Sequence, residues 1–303
     1  MQRFTMYVAA DGYEHELIKE LGNRVMEVRG KLIMASGGPH HAVWAQNIWL
    51  DSSLVHIASI NEGANHLKSM QRNWYLHSTG HHRRAALIQG KLPHIKHKPH
   101  VFGTPAPTAP LGSWTLWDQD TIIASPRCTS AFPDGVVNFA ENKTTPPTRA
   151  YLKLWEAFTV LGVYPKEGEL CLDMGSCPGG WTWVLASLGA KVFSVDKADI
   201  APHIAAMPNV NFCTGSAFGL DPRHAGDVDW FFSDVICYPD RLLATVQRWL
   251  ELGTCRNFIC TIKLQAETDY EAIAGFAAIP NSRIMHLSCN KHELTWVLLE
   301  ADR

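Results

Sequence analysis

At 303 residues, with 46% hydrophobic residues, 18% charged residues and a formal charge of −2, the chain has the makeup of a soluble globular protein with room for two domains. No run approaches 18 apolar residues, so no membrane span is expected. The first residues lack the apolar core of a signal peptide, which makes the cytoplasm the expected compartment. The eight cysteines form no Cys-x-x-Cys, and most sit in apolar runs, as at Cys171, Cys213 and Cys260. They are expected to be small buried residues rather than disulfides or zinc ligands.

Residues 1–50 open with a strand pattern over Phe4–Ala10, followed by an amphipathic helix pattern near Glu14–Met26. A second β–α–β passage is expected from Leu54–Ile60, Gly63–Arg72 and Trp74–His77. Charge is unevenly spread: residues 1–117 carry a balance of +5 and residues 118–303 one of −7. No carboxylate falls between Glu62 and Asp118, where Lys68, Arg72, Arg83, Arg84, Lys91, Lys96 and Lys98 accumulate with seven histidines. Interleaved with Trp74 and Tyr75, this stretch suits a polyanion, and RNA is the expected one. His94, His97 and His100 recur every third residue, but Pro93 and Pro99 oppose the helix that would align them, and no metal is expected. The run 103–112 is proline-rich and is the expected linker.

From Ser125 to Pro147 the chain is rich in turn signals; Thr148 then suits the N-cap of a helix over Arg149–Leu161. Leu170–Asp173 is a short apolar run ending on a carboxylate, as a buried parallel strand does. Gly175-Ser176-Cys177-Pro178-Gly179-Gly180-Trp181 follows, then a helix pattern to Leu188 and a second strand, Lys191–Val195, ending on Asp196. Glycine loops between strand and helix lie where α/β sheets bind ligands. A dinucleotide fingerprint would need glycine at the third place after Gly175, where Cys177 stands, and no Gly-Lys-Ser/Thr follows to make a P-loop. A nucleoside cofactor without phosphates remains, which describes S-adenosylmethionine. Asp173 would face its amino-acid end, the glycines its body and Asp196 its ribose diol. Strands at Val210–Cys213, Val228–Asp234, Asn257–Lys263, Arg283–Leu287 and Leu294–Leu299 alternate with helices at Arg241–Leu252 and Tyr270–Ala278. This alternation predicts an α/β fold, a Rossmann-like doubly wound sheet, preceded by a smaller N-terminal α+β domain; the final strands would form an antiparallel edge hairpin.

C-terminal strand ends gather at one edge of such a sheet, so Asp173, Asp196, Asp234 and Lys263 should meet beside the cofactor. A lysine ending an apolar strand needs a partner, and Asp234 is the obvious one. Lys153 and Glu293 supply a second lysine and a second acid. A ribose hydroxyl needs deprotonation as it attacks, and a partly desolvated lysine beside another cation is expected to have its pKa lowered into the useful range.

Thr148-Arg-Ala-Tyr-Leu-Lys153-Leu, Asp173-x-Gly-x-x-Pro-Gly-Gly-Trp181, Ser-Asp234, Ile-Lys263 and His-Glu293 together resemble the FtsJ-like RNA 2′-O-ribose methyltransferases, with most similarity to the RlmM type, which modifies a cytidine of 23S rRNA. The resemblance covers about residues 125–301. It implies a catalytic tetrad Lys153–Asp234–Lys263–Glu293, with Lys263 as general base, Lys153 and Asp234 tuning and holding it, and Glu293 positioning the lysines or the substrate. It also implies cofactor contacts from Asp173, Gly175, Ser176, Cys177, Pro178, Gly179, Gly180, Trp181, Asp196 and Asp234. Thr214-Gly-Ser216 departs from the family by lacking an acidic residue near adenine, so Ser216 would substitute. The RlmM type carries a ferredoxin-like segment and a THUMP domain ahead of the catalytic one.

The expected organisation is therefore a basic RNA-binding module (ferredoxin-like or THUMP-like) over 1–112, a turn-rich connector over 113–147 and an S-adenosylmethionine-dependent methyltransferase domain over 148–303. RNA contacts would come from Arg72, Arg83, Arg84, Lys91, Lys96, Lys98 and Arg149, with 23S rRNA or a ribosomal precursor as partner and no metal. Rival readings are a ribosome-assembly protein with a vestigial fold, which the intact tetrad and loop oppose, and a base methyltransferase. The latter usually has Asn/Asp-Pro-Pro-aromatic where this chain has Asp234-Val-Ile-Cys.

Overall fold

A computed structural model describes residues 3–95 and 98–302. The chain divides into two compact units, Met1–Ala140 and Glu141–Arg303.

The first unit contains two four-stranded sheets. β1 (Phe4–Ala9), α1 (Glu14–Leu21), β2 (Val25–Arg29), β3 (Leu32–Ser36) and β4 (Ala45–Trp49) make the first, ordered β2-β3-β1-β4 and antiparallel throughout. The second follows from β5 (Ser53–His56), α2 (Ile60–Met70), β6 (Trp74–Leu76), α3 (His82–Gln89), β7 (Gly112–Asp118) and β8 (Thr121–Ser125), in the order β5-β8-β7-β6. Strand alternation gives this second sheet two apolar faces. Trp114, Leu116, Ile122 and Ala124 pack with Leu67 of α2 and Ile88 of α3, whereas Trp117 and Ile123 pack with Met6, Leu32 and Trp49 of the first sheet.

The connector expected over 113–147 is corrected by β7 and β8, which form a hairpin buried in this sheet. Proline-rich sequence before the hairpin and turn signals after it gave the interval the look of a linker. The proline-rich run lies inside the first unit, and the division falls at 140/141.

In the second unit, α4 (Tyr151–Leu161) precedes β9 (Leu170–Met174), α5 (Gly180–Ser187), β10 (Lys191–Asp196), α6 (Pro202–Ala205) and β11 (Val210–Thr214). Then come β12 (Trp230–Ser233), α7 (Pro239–Leu252), β13 (Asn257–Lys263), α8 (Tyr270–Ala277), β14 (Arg283–Met285) and β15 (Glu293–Leu298). Seven strands lie in the order β11-β10-β9-β12-β13-β15-β14; β11 through β13 are parallel, and β15 runs antiparallel to both its neighbours. This is the Rossmann-like doubly wound sheet. The C-terminal hairpin differs from expectation in one respect: only β14 is an edge, because β15 is inserted between β13 and β14.

Helices cover both faces, as the side-chain alternation of β12 requires. Trp230 and Phe232 lie edge-on to Phe158 of α4, at ring separations of 6.2 and 5.9 Å, while Phe231 faces Trp249 of α7 at 5.1 Å. Cys171 and Cys260 are buried as expected, but Cys213 is exposed on the edge strand β11. None of the described helices is long and apolar enough to cross a membrane.

Candidate active site

The strand order reverses between β9 and β12, and ligands bind at the C-terminal edge of a parallel sheet at such a point. β12 delivers Asp234 to this edge and β13 delivers Lys263. Because β15 runs the other way, its first residue, Glu293, arrives at the same edge and pairs directly across from Lys263. Lys153 reaches in from the first turn of α4.

The four groups form a closed ring of alternating charge. Lys153 Nζ lies 3.1 Å from Asp234 Oδ1 and 2.6 Å from Glu293 Oε1. Lys263 Nζ lies 2.6 Å from Asp234 Oδ1 and 2.9 Å from Glu293 Oε2. Their side chains are between 8% and 17% exposed, so solvent screening is weak. Burial alone disfavours the charged Lys263 ammonium, but Asp234 and Glu293 outweigh it and hold its pKa above the ordinary lysine value. This corrects the expected lowering: two carboxylates in contact decide the sign, and the second lysine does not. Burial also pushes the Glu293 carboxyl up, and the ammonium groups of Lys153 and Lys263 more than offset it, leaving its pKa below the usual range.

Two clefts meet at this ring. One, of about 460 Å³, is lined by Gly175, Cys177, Asp196, Ser216, Asp234 and Lys263, together with Phe218, Val235, Ile236 and Arg241. The other, of about 540 Å³, is lined by Arg149, Lys153, Lys263, Cys289, Lys291 and Glu293. In the first cleft, Asp196 is fixed by two backbone donors: Cys177 N–H at 2.9 Å to Oδ2 and Ala198 N–H at 3.1 Å to Oδ1. Gly175 adopts φ +90°, and a Cβ there would stand 2.6 Å from that of Val235, so only glycine lets the loop lie against the residue after Asp234. Arg241 covers the Phe218 ring at 3.9 Å.

The other predicted cofactor residues build the loop from behind. Asp173 is fully buried and does not line the cleft, contrary to the role expected for it. Its Oδ2 accepts a 2.6 Å hydrogen bond from Thr182, whose hydroxyl also pairs with Ser194, while Oδ1 has no partner among the described residues. Burial, only partly offset by the Thr182 hydrogen bond, raises its pKa to about 7. Trp181 is buried too, donating from Nε1 to the Ala150 carbonyl at 3.0 Å. Ser176, Pro178, Gly179 and Gly180 shape the turn into α5, which contains the cis Cys177–Pro178 bond and Gly179 at φ +107°.

Thr148 stops short of capping α4; Ala150 holds that position without a side-chain cap. Arg149 lines the second cleft and pairs with Glu141 at 2.8 Å. Arg72, Arg83, Lys91 and Lys98 are exposed on the first unit, and Arg84 is half-buried on α3. Lys96 and His97 lie outside the described residues. Sequence reasoning missed Phe218, Val235 and Ile236, which belong to loops without a chemical signature, and Arg241, in the first turn of α7. It also missed Glu156, a buried carboxylate on α4 that accepts hydrogen bonds from Ser288 N–H (2.7 Å) and Cys289 N–H (3.0 Å). A glutamate in an otherwise apolar helix stretch, Leu154-Trp155-Glu156-Ala157-Phe158, was the available signal.

Residues 147–274, within the second unit, match the model of the FtsJ-like methyltransferase family, a class that implies a methyl donor. Among curated relatives, the ribosomal RNA large subunit methyltransferase M of Aromatoleum aromaticum is 32% identical over 167 residues, which is 50% of this chain and 45% of that protein. The protein of the same name from Laribacter hongkongensis is 31% identical over 158 residues, 50% of this chain and 44% of the relative. The Haemophilus influenzae protein is 31% identical over 135 residues, 42% of this chain and 37% of the relative. The chain thus spans less than half the length of the curated relatives it matches.

The first cleft fits a nucleoside-type methyl donor. Asp196, anchored by backbone amides, keeps acceptor capacity for a ribose diol, and Phe218, Val235 and Ile236 offer apolar surface for a flat base.

Proposed function

We propose that the protein is an S-adenosylmethionine-dependent RNA 2′-O-ribose methyltransferase acting on a cytidine of large-subunit (23S) rRNA. The observation that carries this reading is the buried Lys153–Asp234–Lys263–Glu293 ring at the junction of a nucleoside-sized cleft and a basic one. When bound, the cofactor supplies an electrophilic methyl group. Asp196 and the Gly175–Cys177 backbone hold it, with Ser216 at the base end. The RNA ribose enters through the second cleft, where Arg149 and Lys291 offer phosphate partners.

The chain's own work is alignment and proton handling. Lys153 and Glu293 hold Lys263 and Asp234 in place. The incoming 2′-hydroxyl would take over part of the contact between Asp234 and Lys263, which lowers the proton affinity of Lys263; the ammonium gives its proton to solvent, and the resulting neutral amine can take the proton of the 2′-hydroxyl. The first unit, with its acid-free basic stretch, holds RNA.

The test is incubation of the purified protein with methyl-labelled S-adenosylmethionine and large-subunit rRNA from cells lacking this modification, followed by digestion to nucleosides. Wild type should yield labelled 2′-O-methylcytidine, and Lys263→Ala should yield none. Label on another ribose would retain the chemistry and discard the target. Label on a base would overturn the role of the ring.

A further inference from the structure

The first unit holds a cavity of about 640 Å³ that contains none of the ring residues. Tyr75, at the centre of β6, and Phe132 place aromatic rings in its wall. His100 stands edge-on to Phe132 at 5.5 Å and to Phe139 at 5.7 Å. Its main chain is fixed on both sides: its N–H donates to the Asn138 carbonyl at 2.6 Å, and its own carbonyl accepts from Ala140 at 2.9 Å. Its Nε2 is buried without a hydrogen-bond partner among the described residues. Asn73 and Asn138 contribute carboxamides and Lys98 an ammonium group. Among the described residues the only acid in the wall is Asp134, engaged by His77 Nδ1 at 2.9 Å; burial together with Asp134 raises the pKa of the Tyr75 phenol.

Each wall component selects for a property of the ligand. Ring faces favour a flat aromatic body. Carboxamides, donor and acceptor at once, match the mixed edge of a nucleobase, which a purely hydrophobic ligand would leave unsatisfied. The lysine asks for an anion, and the sequence between Glu62 and Asp118, which supplies much of the wall, contains no carboxylate to repel one. An aromatic ring carrying polar edges and joined to a phosphate is a nucleotide. Because bases in a duplex are stacked and paired, the site can take one only from a single strand.

We propose that this cavity binds an unpaired nucleotide of the RNA substrate, with its base against Tyr75 and Phe132, its edge on Asn73 and Asn138, and its phosphate on Lys98. The proposal rests on the reading that RNA is the substrate. It adds a sequence-facing contact on the first unit, separate from the ribose that is methylated.

The experiment uses the full chain with a labelled oligouridine, a hairpin RNA of equal length, and oligouridine carrying 4-thiouridine for photo-crosslinking and peptide mapping. Preference for the single strand and crosslinks within 73–75 or 131–138 are expected. Phe132→Leu and Asn138→Ala should weaken oligouridine binding, the former by roughly 5- to 150-fold, the equivalent of losing one stacked base. Equal binding of the hairpin, or crosslinks confined to residues 141–303, would overturn the proposal even if a variant proves unstable, since both are read on the wild type. A protein that methylates rRNA without these crosslinks loses the pocket and keeps the enzyme. One that captures oligouridine here but transfers no methyl group does the reverse.

Discussion

Lys263 makes opposite demands on its two neighbours. Asp234 and Glu293 stabilise its ammonium form, yet only the neutral amine can take a proton. Its raised pKa therefore predicts a rate that climbs with pH, by about tenfold per unit through the neutral range. A single-turnover pH profile that is flat between pH 6 and 9 would remove Lys263 as the base. Glu293 contributes in the other direction. Its pKa is lowered on folding, so its stabilisation is present above the ordinary glutamate value and is lost as pH falls through its folded value. Glu293→Gln should destabilise the fold at pH 7 by about 3–5 kcal/mol, the cost of stranding a buried charge. That penalty should shrink towards pH 4, as urea titrations at both pH values would reveal. Asp173 has the reverse sign for a carboxylate: with its folded pKa near 7, stability falls as pH rises from about 4 to 7. Asp173→Asn should accordingly compare better with wild type at pH 8 than at pH 5 in thermal melts. The ring itself was legible in the sequence because charged residues ending apolar strands need partners. The direction of the Lys263 shift was not, since it depends on two carboxylates lying within 3 Å of one nitrogen.

Among the elements, α4 carries two jobs one turn apart. Lys153 enters the ring, and Glu156 ties down the backbone at Ser288 and Cys289, five residues or fewer before Glu293. Glu156→Ala would leave two amide donors without their acceptor, at about 1–3 kcal/mol each. The expected result is a large loss of methyl transfer with cofactor affinity retained, and partial recovery in Glu156→Gln, which keeps one acceptor. Separate measurement of cofactor binding and single-turnover rate decides between this local effect and general unfolding, which would lower both. The strands from Leu170 onward were readable because buried parallel strands are short apolar runs punctuated by glycine and charge. β7 and β8 were not, although Trp114–Trp117 and Ile122–Ala124 are apolar enough for a core. Proline and turn residues on either side outweighed them. The insertion of β15 between β13 and β14 is likewise a matter of pairing, on which a strand's own sequence is silent.

At the scale of the whole molecule, charge is divided between the parts of the chain: +5 over residues 1–117 and −7 over 118–303. If the first unit holds RNA chiefly through phosphates, Arg83→Ala and Arg72→Ala should weaken binding about equally for all sequences. Each should also reduce the slope of log affinity against log salt by about 1. Filter-binding titrations across a salt series would measure this, and a loss confined to one RNA sequence would assign these arginines to base contacts instead.

The antiparallel β15 also has a consequence for the order in which the protein becomes competent. Among the described residues β14 has no strand neighbour but β15, so the sheet can be completed only from β15 outward. Contacts between Lys153 and Glu293 span 140 positions, and such distant pairings form slowly because a long loop must close before any of them is rewarded. Until β15 docks, the Lys153 and Lys263 ammonium groups share only the Asp234 carboxylate within the ring. The segment that adds the antiparallel strand to the sheet is thus the one that balances the charge of the ring.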